Sequence, residues 1–167
     1  MEIITAEMIE KCSQLFMEKD KKEFDNFLLL NLISQVDLLK FMNKKSNHLK
    51  GIKRDETTFQ MFWIVMRSFK EYNVHIPLIN SNIINLYESK WGQRMRSKRS
   101  LSQENLMAYI KTEIRQAFLI EYVMNNLHNE GSLFEIKDHD LLIKTYSVFF
   151  AIIELMDEEI NKGIEAY

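Results

Sequence analysis

A single proline and only four glycines stand among the 167 residues of this chain. Sheets need tight turns, and tight turns draw on these two residues, so their scarcity predicts long helices joined by polar loops. The lone cysteine, Cys12, excludes an internal disulfide and points to an intracellular, cytoplasmic protein. Neither sign of charge dominates. The formal net charge of −2 gives no general pull towards nucleic acid or an anionic membrane, so neither is expected as a partner. The longest apolar runs, such as 27–30 and 148–153, fall far short of the roughly 20 residues that cross a bilayer. The opening MEIITAEMIEK lacks a basic segment followed by an apolar one, so a signal peptide is not expected. No internal repeat is visible, which excludes a solenoid.

Catalytic signatures are missing too. There is no G-x-S-x-G, no cysteine near a histidine, and no glycine-rich phosphate loop, so an enzyme is not expected and no catalytic residue is assigned. The four histidines, His48, His75, His128 and His139, never stand four residues from one another or from Cys12, so no metal site is expected. Arg94, Arg96, Lys98 and Arg99 form a basic cluster. It reads as a solvated helix end, where cations offset the negative end of the helix dipole.

What remains is apolar periodicity. Hydrophobic residues make up 46% of the chain and charged ones 28%, enough for one packed domain over 1–167 without disulfide or metal. Apolar residues recurring every three or four positions predict about six helices. The first covers 5–18, with Thr5 as its cap. The second covers 21–42, opened by a capping box at Asp20 and Glu23 and followed by a polar loop over 43–54. The third begins at Asp55 and carries Phe59, Phe62, Trp63, Met66 and Phe69 on one face. A bend at Ile76-Pro77-Leu78 follows, because the residue before a proline is pushed out of the helical region. The fourth starts at Asn80 or Ser81, with Ile83, Ile84, Tyr87, Trp91 and Met95 inward. The fifth runs from a capping box at 100–103 to His128, where Gly131 suits a left-handed stop. The sixth covers 138–166.

The segment His75 to Met95 resembles the haem-free sensor globins, which include stressosome sensor N-terminal domains and the sporulation-inhibitory sensor-domain proteins of bacilli. In that group an I-G-L element enters a helix, and an aromatic residue followed by basic ones stands about four turns later. Ile76-Pro77-Leu78 matches the element, and Trp91 with Arg94 matches the later position. The last helix is similar as well, in Leu142-Ile143, Phe149-Phe150 and Glu158-Glu159. The likeness is clearest over 74–96 and 138–160.

The resemblance implies an all-α, globin-like bundle and a homodimer through the last two helices. It also implies a small apolar ligand, such as a fatty acid, in place of haem. Haem-binding relatives carry a proximal histidine three or four residues before the I-x-L element, where this chain has Asn73 and Tyr72. His75 stands one residue before Ile76, about 200° around a helix from Asn73. The expected function is a stand-alone, non-enzymatic sensor domain that modulates a signalling partner such as a sporulation histidine kinase. The alternatives are a haem-binding globin sensor and a ligand-free phage or plasmid interaction module. The expected ligand wall, between the second, third and fourth helices, is Phe59, Phe62, Trp63, Met66, Phe69, Tyr72, His75, Ile76, Leu78, Ile83 and Tyr87.

Overall fold

The computed structural model describes residues 4–17, 26, 35–48, 55–72, 77–132 and 135–165, with the side chains of 16–17, 46–48, 55–59, 72 and 163–165 left aside. Among the described residues there are seven helices and no strand. They are α1 (Ala6–Met17), α2 (Val36–His48), α3 (Asp55–Tyr72), α4 (Ser81–Ser97), α5 (Gln103–Glu113), α6 (Ala117–His128) and α7 (His139–Glu165). The scarcity of proline and glycine did predict an all-helical chain. No described helix is long and apolar enough to cross a membrane.

Several helix ends follow from single side chains. Thr5 caps α1, its hydroxyl accepting from Met8 N at 3.3 Å. Asn80 caps α4 by accepting from Ile83 N at 3.1 Å. The Asp138 carboxylate accepts from Leu141 N at 2.8 Å and opens α7. Each such cap satisfies a backbone N–H that has no partner within the helix and contributes about 1 kcal/mol. Gly131 takes φ +80 after α6, the left-handed conformation that only glycine adopts without strain.

Three expected boundaries are corrected. The second helix does not run unbroken over 21–42. Gln35 is outside any helix, and α2 begins at Val36 and continues to His48, through half of the expected loop. Gln35 is instead held by the approach to α4: its Nε2 donates to Pro77 O at 2.5 Å, and its Oε1 accepts from Ile79 N at 3.1 Å. The expected fifth helix is two. Ile114 is extended (φ −122, ψ 128), and α6 restarts at Ala117. The break turns the buried Gln116 inward, where its Oε1 accepts from Ile4 N at 2.9 Å and its Nε2 donates to Asp157 Oδ1. Finally, α5 is capped by Ser102, not Ser100. The capping box expected at Asp20 lies outside the described residues.

The centre of the molecule is α7, which packs against α3, α4 and α6. From 145 to 157 every one of its residues is buried. Phe149 and Phe150, about 100° apart on the helix, serve two different neighbours. Phe149 stacks on Phe62 of α3 with centroids 4.4 Å apart. Phe150 meets Trp91 of α4 edge-on at 5.5 Å and lies against Tyr146 at 5.4 Å. Each buried ring contributes about 1.5–3 kcal/mol from water exclusion. The hydroxyls of Thr145 and Ser147, buried on α7, donate to the carbonyls one turn back at 2.8 and 2.9 Å, and that of Tyr146 donates to Met124 O at 3.4 Å, so none of the three is stranded. Around this centre, α1 packs on α3 and α6, α2 on α3 and α4, and α5 on α6.

Candidate functional site

Helices α4 and α7 run antiparallel. Tyr87 donates its hydroxyl to Glu158, Trp91 meets Phe150 and Glu154, and His139 Nε2 lies 3.0 Å from Arg99 O. The pairing divides into two zones. Towards the C-terminal end of α7 it is closed and polar. Glu154 is buried, accepting from Trp91 Nε1 at 2.8 Å and from Lys90 Nζ at 2.9 Å on both oxygens. One turn on, Asp157 accepts from Arg115 Nε at 3.1 Å and from Gln116. Burial first, and then the Glu158 carboxylate beside it, push the Tyr87 hydroxyl well above the ordinary phenol range.

Towards the N-terminal end of α7 the two helices line a groove of about 680 Å³. One wall is a single stripe of α4, namely Asn85, Glu88, Ser89, Gly92 and Arg96, continued by Arg99. The other is Asp140, Leu141, Ile143, Lys144, Ser147 and Val148 of α7, and Lys45 of α2 closes the rim. The α4 stripe, Asn85 to Arg96, extends about 16 Å at helical rise. Gly92 presents only backbone to the groove, and a Cβ there would meet nothing nearer than the Arg96 guanidinium at 3.4 Å.

The cations of this groove are unevenly paired. Lys45 forms an ion pair with Glu88. No ion pair is formed by Arg96, Arg99, Lys144 or Asp140 among the described residues. Arg94 and Lys98 turn the other way, Arg94 to Glu113 at 2.9 Å and over Trp91, and Lys98 over the Tyr109 ring. The basic cluster is therefore split, half of it engaged with α5 and half facing the groove. Two sequence-level signals carry this: the three- and four-residue spacing of Ser89, Gly92, Arg96 and Arg99, and the matching spacing of Asp140, Lys144 and Ser147.

The described residues expected to form a ligand wall lie elsewhere in the fold than this groove. Phe62, Trp63, Met66 and Phe69 are buried in the core of α3, where Phe62 is occupied by its stack on Phe149. Ile83 and Tyr87 are half-buried on α4, and Leu78 is 77% exposed. Phe59 and Tyr72 belong to α3, but their side chains, like all of His75 and Ile76, lie outside the described residues. None of the described members lines the α4–α7 groove. Of the histidines with described side chains, His128 and His139 are both exposed. Cys12 is fully buried on α1, and that burial raises its thiol above the ordinary range. Among the described residues no three His, Cys, Asp or Glu side chains gather as metal ligands.

No protein-family model, curated protein or solved structure matches this chain.

Proposed function

We propose that the protein is a non-enzymatic sensor domain that holds a small anionic ligand in the groove between α4 and α7. The observation that carries this reading is that Arg96, Arg99 and Lys144, which form no ion pair among the described residues, line one concave surface. Charged side chains of one sign that face a cleft raise the local concentration of an oppositely charged ligand. A ligand seated there touches both α4 and α7, so its occupancy bears on the packing of the central helix.

The resemblance to haem-free sensor globins supplies the rest of the proposal. A fatty-acid-like ligand would set its carboxylate on these cations and its chain over Leu141, Ile143 and Val148. A globin-like arrangement and modulation of a signalling partner, such as a histidine kinase, belong to the same proposal. A homodimer through the last two helices would have to use the outer face of α6, where Phe118 is exposed, because α7 has no free face between 145 and 157. The test is a thermal-shift series with decanoate and with small phosphate esters on the wild type and on Gly92→Phe, which fills the groove. Stabilisation by an anion, lost in the variant, is the expected result. An absence of stabilisation by every anion defeats the proposal.

The ligand-free interaction module has one observation in its favour. Leu86 stands 66% exposed on the outer face of α4, and Leu78 is more exposed still at its approach. Pull-down of the same partner by the wild type and Gly92→Phe, lost in Leu86→Glu, would favour that reading.

A further inference from the structure

The charge balance of the groove discriminates among anionic ligands. With Lys45 and Glu88 neutralising each other, Arg96, Arg99 and Lys144 face, among the described residues, one carboxylate without an ion pair, Asp140. Two positive charges are left over. A carboxylate ligand would neutralise only one of them. A phosphomonoester carries −1.5 to −2 near neutral pH and offers three acceptor oxygens, which matches both the charge and the number of cations. Guanidinium groups bind such oxygens with two parallel hydrogen bonds, and an ammonium adds a point charge.

Asp140 adds a second constraint. A carboxylate at the same end of the groove repels a bare anion, and it becomes favourable only where the ligand also brings hydroxyl donors. Ser89 and Asn85, further along the α4 stripe, can both give and accept hydrogen bonds. Among the described residues no aromatic side chain lines the groove, so they offer no surface on which a nucleobase would stack. The geometry points to a phosphorylated polyol or sugar as the occupant: its phosphate on Arg96, Arg99 and Lys144, and its hydroxyls towards Asp140. This assignment rests on the reading of the groove as a ligand site and narrows the ligand's class.

Calorimetric titration with glucose 6-phosphate, glucose, inorganic phosphate and decanoate tests it, using the wild type, the Arg96→Ala/Lys144→Ala double variant and Asp140→Asn. All three altered residues are exposed, and circular dichroism checks that the fold is kept. Glucose 6-phosphate should bind the wild type at least tenfold more tightly than glucose or inorganic phosphate do, and the double variant should lose at least tenfold. Asp140→Asn should bind inorganic phosphate more tightly and so narrow the advantage of the sugar ester. Decanoate binding that the double variant loses, with glucose 6-phosphate inert, overturns the phosphate assignment and leaves the groove a ligand site. Silence from every anion overturns both, and glucose 6-phosphate binding unchanged in the double variant overturns the placement.

Discussion

Trp91 donates its indole N–H to the buried carboxylate of Glu154 at 2.8 Å, and this bond locks the middle of α4 to the middle of α7. Lys90 supplies the opposing charge from the solvent side, 2.9 Å from both oxygens. A buried donor left without its acceptor costs more than the bond itself contributes. Glu154→Ala strands the indole N–H and should destabilise the protein by about 2–4 kcal/mol. Glu154→Gln keeps an acceptor for Trp91 and should cost about half as much. Urea denaturation of the two variants measures the difference, and equal losses would show that the indole bond contributes little.

Gln116 is a second buried polar link, joining Ile4 N at one end to Asp157 at the other. Both of its amide atoms are used, so Gln116→Leu removes a donor and an acceptor at once. The expected cost is about 2–3 kcal/mol. Gln116→Glu should be at least as damaging, since it sets a carboxylate against Asp157. Hydrogen exchange at Ile4 and over the first turn of α6 should rise in both variants.

Gly92 lies inside α4, where glycine costs about 0.5–1 kcal/mol relative to alanine. A methyl group there meets only the mobile end of Arg96 at 3.4 Å. Gly92→Ala should therefore raise the melting temperature by a few degrees, by roughly the propensity difference. A fall in melting temperature would show that Arg96 cannot yield.

Three tyrosines resist ionisation in the folded state. Burial raises Tyr146, and it leads the causes that raise Tyr87 and Tyr122. The folded protein therefore holds these protons after the unfolded chain has begun to release them at about pH 10. Their contribution to stability is complete below that pH and is lost as pH rises above it. Phenolate absorbance and far-UV circular dichroism, followed up an alkaline titration, should show part of the tyrosine signal appearing only as the helices melt. Tyr87→Phe should reduce the alkaline loss of stability.

Much of the local structure could be read along the chain. The caps at Thr5 and Asn80, the left-handed Gly131 and the buried face of Phe62, Trp63, Met66 and Phe69 all follow from near neighbours in the sequence. The break between α5 and α6 does not. Apolar periodicity continues through Ile110, Ile114 and Ala117, and the interruption comes from Asp157 and Ile4, which are distant in the chain and draw Gln116 inward. Phe118 shows the result: on one unbroken helix it would share the inward face, whereas it is 42% exposed. The groove was hidden for a related reason. Arg96 and Arg99 look like an ordinary helix end until Asp140 and Lys144 are set opposite them.

The enclosure of α7 sets an order in time. This helix follows the other six described helices, so a ribosome makes the surfaces that surround it before it makes the helix itself. Until 145–157 emerges, the sides of α3, α4 and α6 that face it stay uncovered. The nascent protein must therefore pass through a stage of exposed apolar surface, the kind that chaperones recognise and that aggregates when left unattended. A stop codon anywhere before the end of that segment should yield a chain that is degraded rather than a smaller working domain.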